Sequence, residues 1–488
     1  MDELVKNRLT EYPDLKLLID GVWASVDTRA SIAVTNPATR EVLGFVPVAT
    51  RQDLQMAVEA ASKAFAHWKK RTPLDRSSIL RRIADLVRER KDRLAVILTL
   101  EQGKTLAESQ GELTAVADTF DWMAEEGRRV YGRIVPSRFP NVEQMVIYEP
   151  VGVVAALSPW NYPAALGARK VATALAAGCT VVLKPAEETP GIWVALAELC
   201  VDAGVPNGVL NLVFGNPSEI SDFLLSHPAV KKVSFTGSIP VGLMLAEKAA
   251  RSLKKITLEL GGHSPVFLAE DTKPEHVARL AVASKFRNAG QICHSPTRFF
   301  IHSKIYQRFV ESFVEGASAL RVGNGLHQGV QMGPLANGRR VKAMEDLVAD
   351  AKQNGSRILT GGERCSDDRG HFWKPTVIED LSENVRLLRE EPFGPIALMI
   401  PFDSIEEAVT KANQLSVGLG SFAFTNSIST AKYLQDNVEA GSLSINTFTI
   451  TPPEVPFGGW KLSGTGSEMG SEGLIEHFNI KTVLRTEV

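Results

Sequence analysis

The pattern of apolar and polar positions between residues 151 and 262 predicts strands that alternate with helices. Helical patterns separate short β-rich apolar runs, which lie at 151–157, 180–183, 209–214 and 233–235. Alternation of this kind is typical of a parallel, doubly wound α/β sheet, because each parallel strand needs a crossover helix.

The remaining segments predict a second α/β region and shorter elements. Residues 17–50 carry short apolar runs broken by Gly, Pro and Asn, which predicts small strands and turns, and residues 52–127 have helical spacing. Residues 263–445 mix helix and strand patterns and predict a second α/β domain. The Thr-, Pro- and Gly-rich residues 446–470 predict an irregular active-site loop, and residues 475–488 predict an edge strand.

Three polar residues follow directly after predicted strands: Asn161, Lys184 and Ser238. In a doubly wound sheet, ligands bind beyond the carboxyl ends of the strands, so these side chains indicate a binding edge; ordinary βα loops are the alternative. The segment 237–242 begins and ends with Gly, and at a helix N-terminus its backbone N–H groups could bind a phosphate. Lys184 and Glu187 could bracket a ribose, since a carboxylate accepts hydrogen bonds from the 2′- and 3′-hydroxyls and repels a 2′-phosphate.

Three residues are candidates for covalent chemistry: Cys293, Glu259 and Asn161. Cys293 follows Gly290, which allows close backbone approach, and Arg287, whose positive charge is expected to lower the thiol pKa. Glu259 lies between leucines before two glycines, which favours a buried carboxylate with a pKa raised by desolvation. Asn161 stands between prolines, as a fixed oxyanion donor requires. The structural alternatives are a buried apolar thiol, a solvent-facing Glu on an edge strand and a turn Asn.

Length and composition exclude several other classes of protein. The chain has 488 residues, 44% hydrophobic and 23% charged, with a formal net charge of −2, which indicates a soluble protein of two or three domains without a nucleic-acid partner. Its 4 cysteines fit neither a zinc site nor a disulfide framework, and the sequence predicts no metal. No segment reads as a signal peptide or a membrane span, so we expect a cytoplasmic enzyme with reduced thiols.

Several segments together resemble the aldehyde dehydrogenase superfamily, over nearly the whole chain from about residue 17 onward. Each string alone is modest evidence, whereas their occurrence in the family's order makes coincidence negligible. The strings are Pro159-Trp160-Asn161-Tyr162-Pro163, Lys184-Pro185-Ala186-Glu187, Phe235-Thr236-Gly237-Ser238, Leu258-Glu259-Leu260-Gly261-Gly262, Gly290-Gln291-Ile292-Cys293, Glu390-Glu391-Pro392-Phe393-Gly394-Pro395 and Pro456-Phe457-Gly458-Gly459.

The resemblance implies a Rossmann-like cofactor domain, an α/β catalytic domain and a small oligomerisation element, assembled as a homodimer or homotetramer. The predicted boundaries are 1–127 and 151–262 for the NAD-binding domain, 263–445 for the catalytic domain, 128–150 and 471–488 for the oligomerisation element, and 446–470 for the active-site loop.

The same resemblance implies that the enzyme oxidises an aldehyde to a carboxylic acid with NAD(P)⁺. Cys293 would attack the aldehyde carbon, and the Asn161 amide with the Cys293 N–H would hold the oxyanion. Glu259 would activate the water that hydrolyses the resulting thioester. Glu187 favours NAD⁺, with NADP⁺ possible. The residues matched to the cofactor are Ser158, Trp160, Lys184, Glu187, Gly237, Ser238, Gly261, Glu391 and Phe393.

Two arginines indicate the charge of the substrate. Among relatives, the chain looks most like succinate-semialdehyde dehydrogenases, in which residues matching Arg169 and Arg287 grip the substrate carboxylate. Two guanidinium groups at one mouth would select an anionic semialdehyde such as succinate semialdehyde. The alternative for each arginine is a structural ion pair.

Two departures from that pattern leave other substrates open. Pro452 stands where those enzymes often have Ser, and Cys293 is followed by His294-Ser295, where many of them have a second Cys. A broad aliphatic or aromatic aldehyde is therefore the alternative substrate. A CoA-acylating dehydrogenase or a non-catalytic scaffold is more remote, because Cys293 and the base Glu259 are both present.

Overall fold

Two large β-sheets organise the chain, which the computed structural model describes over residues 8–27, 29–366 and 369–486. The central strands of the first sheet run parallel, and antiparallel strands flank them. The strands predicted between residues 151 and 235 are therefore confirmed. The order across this sheet of 8 strands is Val22–Ala24, Leu17–Ile19, Leu210–Leu212, Thr180–Lys184, Val153–Leu157, Val230–Gly237, Lys255–Leu260 and Gly464–Thr465.

The helices that accompany this sheet begin and end for local reasons. They are Arg51–Trp68, Pro73–Glu89, Lys91–Gln102, Leu106–Glu126, Pro163–Ala177, Pro190–Asp202, Pro217–Ser226 and Ile239–Ala250. Thr50, Thr72 and Thr105 begin three of them with capping boxes, in which the Thr and an acid three residues later satisfy free backbone N–H groups. Gly178 ends the fifth at φ 89°, a left-handed conformation that glycine adopts without a steric penalty. The helical pattern predicted for 52–127 is confirmed.

The second sheet has 7 strands, and only its first two neighbours are antiparallel. Its order is Arg357–Thr360, Thr376–Glu379, Ile396–Phe402, Arg298–His302, Pro265–Leu268, Gly420–Phe424 and Ser442–Ile445. The mixed helix and strand pattern predicted for 263–445 is thus confirmed. The helices of this region are Pro274–Lys285, Ser303–Ser318, Gly338–Gln353, Ile405–Asn413 and Ile428–Asn437.

Shorter elements complete the described chain. Phe478–Thr486 pairs antiparallel with Val142–Pro150, which also pairs with Arg133–Val135, so the predicted C-terminal edge strand is confirmed. The division into domains and the oligomerisation element stay predictions. The other short elements are the paired strands Ser31–Thr35 and Val42–Pro47, the paired strands Val417–Gly418 and Trp460–Lys461, the helix Gly470–Ile475, and the 3₁₀ helices Leu9–Glu11, Arg287–Gly290 and Arg386–Leu388.

Each large sheet has its own apolar core. Val154 and Leu183 are fully buried in the first, and Val266 and Leu398 in the second. Parallel strands buried on both faces are continuous apolar runs rather than alternating ones, which explains the pattern seen in the sequence. Within the described ranges, no helix is long and apolar enough to cross a membrane.

Candidate active site

The carboxyl ends of four parallel strands meet at one edge of the first sheet. Leu157 is level with Lys184 on one neighbouring strand and with Phe235 on the other, and Thr236 is level with Glu259. The loops that leave these strands therefore emerge side by side, as the sequence predicted.

A cavity of about 590 Å³ opens at this edge. Its walls bring together the three candidate catalytic residues and most of the predicted cofactor residues. The aromatic rings of Trp160 and Phe393 meet edge to face across it, 5.6 Å apart. The predicted residues that line the cavity are Trp160, Asn161, Gly237, Ser238, Glu259, Gly261, Cys293, Glu391 and Phe393.

Glu259 lies at the end of Lys255–Leu260 with only 1% of its surface exposed. Neither carboxylate oxygen has a hydrogen-bond partner among the residues that the structure describes. Burial and the nearby charge of Glu468 raise the pKa of Glu259, as the sequence predicted from desolvation, and the neighbouring Cys293 thiol and the charge of Arg169 oppose that rise. A carboxyl group without a fixed partner in a cavity wall is suited to accept a proton.

The Cys293 thiol is partly exposed in the same cavity wall, and its Sγ lies 3.5 Å from Nδ1 of His294. Burial and the neighbouring charge of Glu259 raise the thiol pKa well above its ordinary value, and the charge of Arg169 opposes them. The expectation that Arg287 would give a lowered thiol pKa is therefore wrong, because burial and the carboxylate outweigh the cations. This thiol must lose its proton to a nearby base before it can react.

Asn161 joins its loop to the loop that carries the thiol. Its side-chain Nδ2 donates to the backbone oxygen of Gln291 at 3.2 Å. The chain before Gln291 is unusual, since Asn288 and Ala289 have φ of 50° and 51° and Gly290 has φ of 71°. A Cβ at Gly290 would lie 2.2 Å from the backbone oxygen of Gly394, so only glycine fits there.

Glu391 and Phe393 form the opposite wall from a separate loop. Burial raises the pKa of Glu391 to about 8. Its carboxylate packs against the strand end, since a Cβ at Gly261 would lie 2.5 Å from Glu391 Oε2. Arg340 holds the loop by donating to the backbone oxygen of Phe393 at 3.1 Å. These contacts fix the loop beside the strand that carries Glu259.

A second cavity of about 790 Å³ shares the Trp160 and Gly237 walls with the first, so the two form one cleft. Lys184 and Glu187 line it as an ion pair at 2.6 Å, and Glu187 also accepts from the backbone N–H of Gly215 at 3.2 Å. Such a pair is suited to bind sugar hydroxyls.

The same cleft has features suited to a phosphate. Ser158 lines it, and its buried hydroxyl has no partner among the described residues. Ser238 precedes Ile239–Ala250 and makes no side-chain capping bond, so the first N–H groups of that helix are available to an anion. The cleft can therefore hold a ribose at one end and a phosphate at the strand ends.

Arg169 and Arg287 line neither cavity wall, but the charge of each acts on the Cys293 thiol. The guanidinium of Arg169 lies 5.4 Å from the Phe457 ring, and that of Arg287 lies 6.0 Å from the Tyr162 ring. After burial, the charges of Arg287 and Arg169 both hold the pKa of His294 well below its ordinary value. Within the described chain, neither guanidinium has a carboxylate at salt-bridge distance, so the structural ion pairs considered above do not form there.

Sequence reasoning missed several polar groups around the site. Lys170 is fully buried, donates to Thr236 Oγ1 at 2.7 Å and forms an ion pair with Glu468, whose charge acts on Glu259. Lys104 is equally buried beside the Asn161 loop. Lys170 stands in the Ala-rich helix Pro163–Ala177, where a buried charge could have been suspected, whereas nothing in the local sequence marks Lys104.

Comparisons with known proteins agree with this geometry. The model of the aldehyde dehydrogenase family matches residues 23–483. The 4-(hydroxymethyl)benzenesulfonate dehydrogenase of Comamonas testosteroni is 46% identical over 94% of this chain and 95% of its own. The NADP(+) succinate-semialdehyde dehydrogenase of Escherichia coli strain K12 is 40% identical over 95% of this chain and 96% of its own. The NAD+ complex structure of an aldehyde dehydrogenase from Bacillus cereus matches with a TM-score of 0.95 at 34% identity, over 100% of this chain and 99% of its own.

Proposed function

This chain belongs to the aldehyde dehydrogenase family, and we propose that it oxidises an anionic aldehyde to a carboxylic acid through a thioester on Cys293. It is an NAD(P)-dependent oxidoreductase. One observation carries the proposal: a thiol, an unpaired carboxylate and a side-chain amide line a single cavity that continues into a nucleotide-sized cleft.

The cleft residues fit a dinucleotide. Lys184 and Glu187 would hold the adenine ribose, Ser158 and Ser238 the pyrophosphate, and Phe393 the nicotinamide end, together with Trp160, Gly237, Gly261 and Glu391. When bound there, the nicotinamide supplies the hydride acceptor of the oxidation.

Cys293 begins the reaction. Glu259 is the nearby carboxylate whose raised pKa suits it to take the thiol proton, directly or through water. The thiolate then forms a C–S bond to the aldehyde carbon, and the carbonyl oxygen becomes an oxyanion. The Asn161 amide and the Cys293 backbone N–H would donate to that oxygen, where charge develops in the transition state.

Glu259 completes the cycle in this proposal. Glu259 first releases the thiol proton to solvent. Once the carbon on Cys293 is oxidised to a thioester, a water attacks it and gives its proton to the freed Glu259 carboxylate. The C–S bond breaks, the acid product departs, and the thiolate takes the proton from Glu259, which restores the starting thiol and carboxylate. Because Glu259 is present to activate water, hydrolysis is favoured over acyl transfer to a thiol such as CoA.

The two arginines support an anionic substrate. Arg169 and Arg287 both act electrostatically on His294, the residue next to the thiol, and neither has a described carboxylate at salt-bridge distance. A carboxylate or sulfonate on the aldehyde would supply the missing negative charge. The relatives point the same way, since succinate semialdehyde and a benzenesulfonate both carry an anion.

An aromatic aldehyde with an anionic group is the second candidate substrate. Aromatic rings near the thiol support this candidate. The His294 and Phe457 rings lie 5.6 Å apart, and the Arg287 guanidinium lies 6.0 Å from the centre of the Tyr162 ring. Flat rings are recognised by such edge-to-face contacts. The Comamonas testosteroni relative is named for a benzenesulfonate.

The test is kcat/KM for matched aldehydes with NAD⁺ and with NADP⁺. The panel contains succinate semialdehyde and butyraldehyde, then 4-sulfobenzaldehyde or 4-carboxybenzaldehyde and benzaldehyde. We expect each anionic aldehyde to exceed its neutral counterpart by about tenfold or more, because a charge-assisted hydrogen bond contributes about 1.5–3 kcal/mol. Equal values within each pair would contradict the anionic substrate, and no oxidation of any aldehyde would contradict the activity.

A further inference from the structure

We propose that Lys104 and Asn288 are positioning residues that orient the oxyanion-binding amide of Asn161. The inference rests on the proposed function, since it concerns the amide that would hold the oxyanion. Both side chains are buried and neither lines the two cavities, so both would act on the reaction through Asn161. Both instead donate to the same atom, the backbone oxygen of Asn161.

Lys104 reaches Asn161 from the segment before Leu106–Glu126. Its side chain is 0% exposed, and its Nζ donates to Asn161 O at 2.9 Å and to the carboxylate of Glu112. The same Nζ lies 3.7 Å from the centre of the Tyr162 ring. Glu112 in turn accepts from the backbone N–H of Ala165 at 3.1 Å. The Lys104–Glu112 ion pair therefore bonds this loop at two points, through Lys104 at Asn161 and through Glu112 at Ala165.

Asn288 reaches the same oxygen from the thiol loop. Its Nδ2 donates to Asn161 O at 2.9 Å and to Gln291 O at 3.2 Å. Its backbone N–H donates to Glu108 at 2.7 Å, and Glu108 is also the capping-box acid of Leu106–Glu126. The first turns of the helix Leu106–Glu126 therefore bond both the loop of Asn161, through Glu112, and the left-handed turn before Cys293, through Glu108.

This arrangement bears directly on the geometry of the oxyanion hole. The two proposed donors, Asn161 Nδ2 and the Cys293 N–H, lie on different loops, and their separation decides whether one oxygen can accept from both. A displacement of about 1 Å at such a site lowers a rate by about 100-fold. A buried lysine is expensive to desolvate, so the bond from Lys104 to the backbone oxygen of Asn161 supports a positioning role.

The decisive variant removes the lysine without leaving an unpaired charge. Lys104→Met combined with Glu112→Gln takes away both charges, while the Gln oxygen can still accept from Ala165. Lys232→Met is the matched control, because Lys232 is also 0% exposed but donates to Thr257 and forms an ion pair with Glu476, away from the Asn161 loop. The thermal midpoint of each variant reports whether it is folded.

Two rates and one dissociation constant separate a positioning role from general structural damage. The NADH burst needs the oxyanion hole, whereas alkylation of Cys293 by iodoacetamide and the Kd for NAD⁺ do not. For the double variant, we expect the burst rate to fall by about 10- to 100-fold, with alkylation and Kd within about twofold of wild type. Lys232→Met should leave the burst rate, the alkylation rate and the Kd for NAD⁺ near the wild-type values. An unchanged burst would overturn the inference, and so would alkylation or NAD⁺ binding that falls in parallel with it.

Asn288→Gly is the second variant. Glycine keeps the φ of 50° at this position without strain but removes the amide donor. We expect the same selective loss of the burst, and a normal burst would overturn the role of Asn288. Asn161→Ala serves as the reference: if it retains the full burst rate, the oxyanion part of the proposed function fails. If Asn161→Ala is slow while the Lys104 and Asn288 variants are fast, only the positioning inference fails.

Discussion

The two cavities at the strand ends differ in whether their carboxylates are paired. In the larger cavity, Lys184 and Glu187 pair at 2.6 Å, and the backbone of Gly215 adds a further bond to the carboxylate. In the smaller cavity, the oxygens of Glu259 have no partner in the described chain, and burial raises the pKa values of both Glu259 and Cys293.

The difference separates groups suited to binding from groups suited to chemistry. A paired carboxylate keeps its charge and position, which is what recognition of sugar hydroxyls requires. A buried carboxyl group without a partner is destabilising, but its proton can be gained or lost at moderate cost, which is what a base requires. We therefore expect changes in the smaller cavity to abolish turnover and changes in the larger one to alter affinity.

Cys293→Ala should give the largest effect. Without the nucleophile, aldehyde oxidation should fall by roughly 10⁴-fold or more, because no covalent intermediate can form. The Kd for NAD⁺, measured by isothermal titration calorimetry, should stay near that of wild type. Cys200→Ala is the control, since Cys200 is buried in the first core. Full activity in Cys293→Ala would remove the thiol from the mechanism.

Glu259→Gln should separate the two halves of the reaction. A burst of about one NADH per site should survive if water can take the thiol proton, whereas steady-state turnover should fall by about 10²- to 10⁴-fold, the usual contribution of a general base. Stopped-flow absorbance measures both phases. Normal steady-state turnover would show that another group activates the water.

Arg169→Leu together with Arg287→Leu should abolish the preference for anionic aldehydes. We expect kcat/KM for 4-carboxybenzaldehyde or succinate semialdehyde to fall by about 10- to 100-fold. The neutral counterpart of each should change by less than about threefold. An unchanged ratio between anionic and neutral substrates would mean that the two guanidinium groups do not select the substrate.

Glu187→Gln should alter cofactor choice by a smaller amount. The carboxylate is expected to repel a 2′-phosphate, so its neutralisation should improve kcat/KM for NADP⁺ relative to NAD⁺ by about tenfold. Parallel assays with both cofactors measure this ratio. If the ratio does not move, the pair of Lys184 and Glu187 does not discriminate between them.

The smallest expected effect is on stability. Because the pKa of Glu259 is raised in the folded state, the native protein binds more protons than the unfolded one above the ordinary value of 4.5, and stability is lost as pH rises toward the folded pKa. Glu259→Gln should therefore have a higher Tm than wild type at pH 8, and the difference should shrink toward pH 4. A lower Tm at pH 8 would mean that the carboxylate is stabilised by a partner.

The sequence by itself determined most of the helices and strands and the candidate residues that line the cavity. Capping residues such as Thr72 and Thr105 and the continuous apolar runs act over a few positions, so their effect can be seen in the chain. The strings around Asn161, Glu259 and Cys293 are equally local, and all three side chains line one cavity.

Only the tertiary structure decided the pKa values of those residues and the contacts that orient them. The raised pKa of Cys293 reverses the expectation from Arg287, because desolvation depends on every element packed around the thiol. Lys104 and Asn288 meet on Asn161 from 57 and 127 positions away. Contacts over such separations are created by the packing of whole helices and sheets, which no short segment encodes.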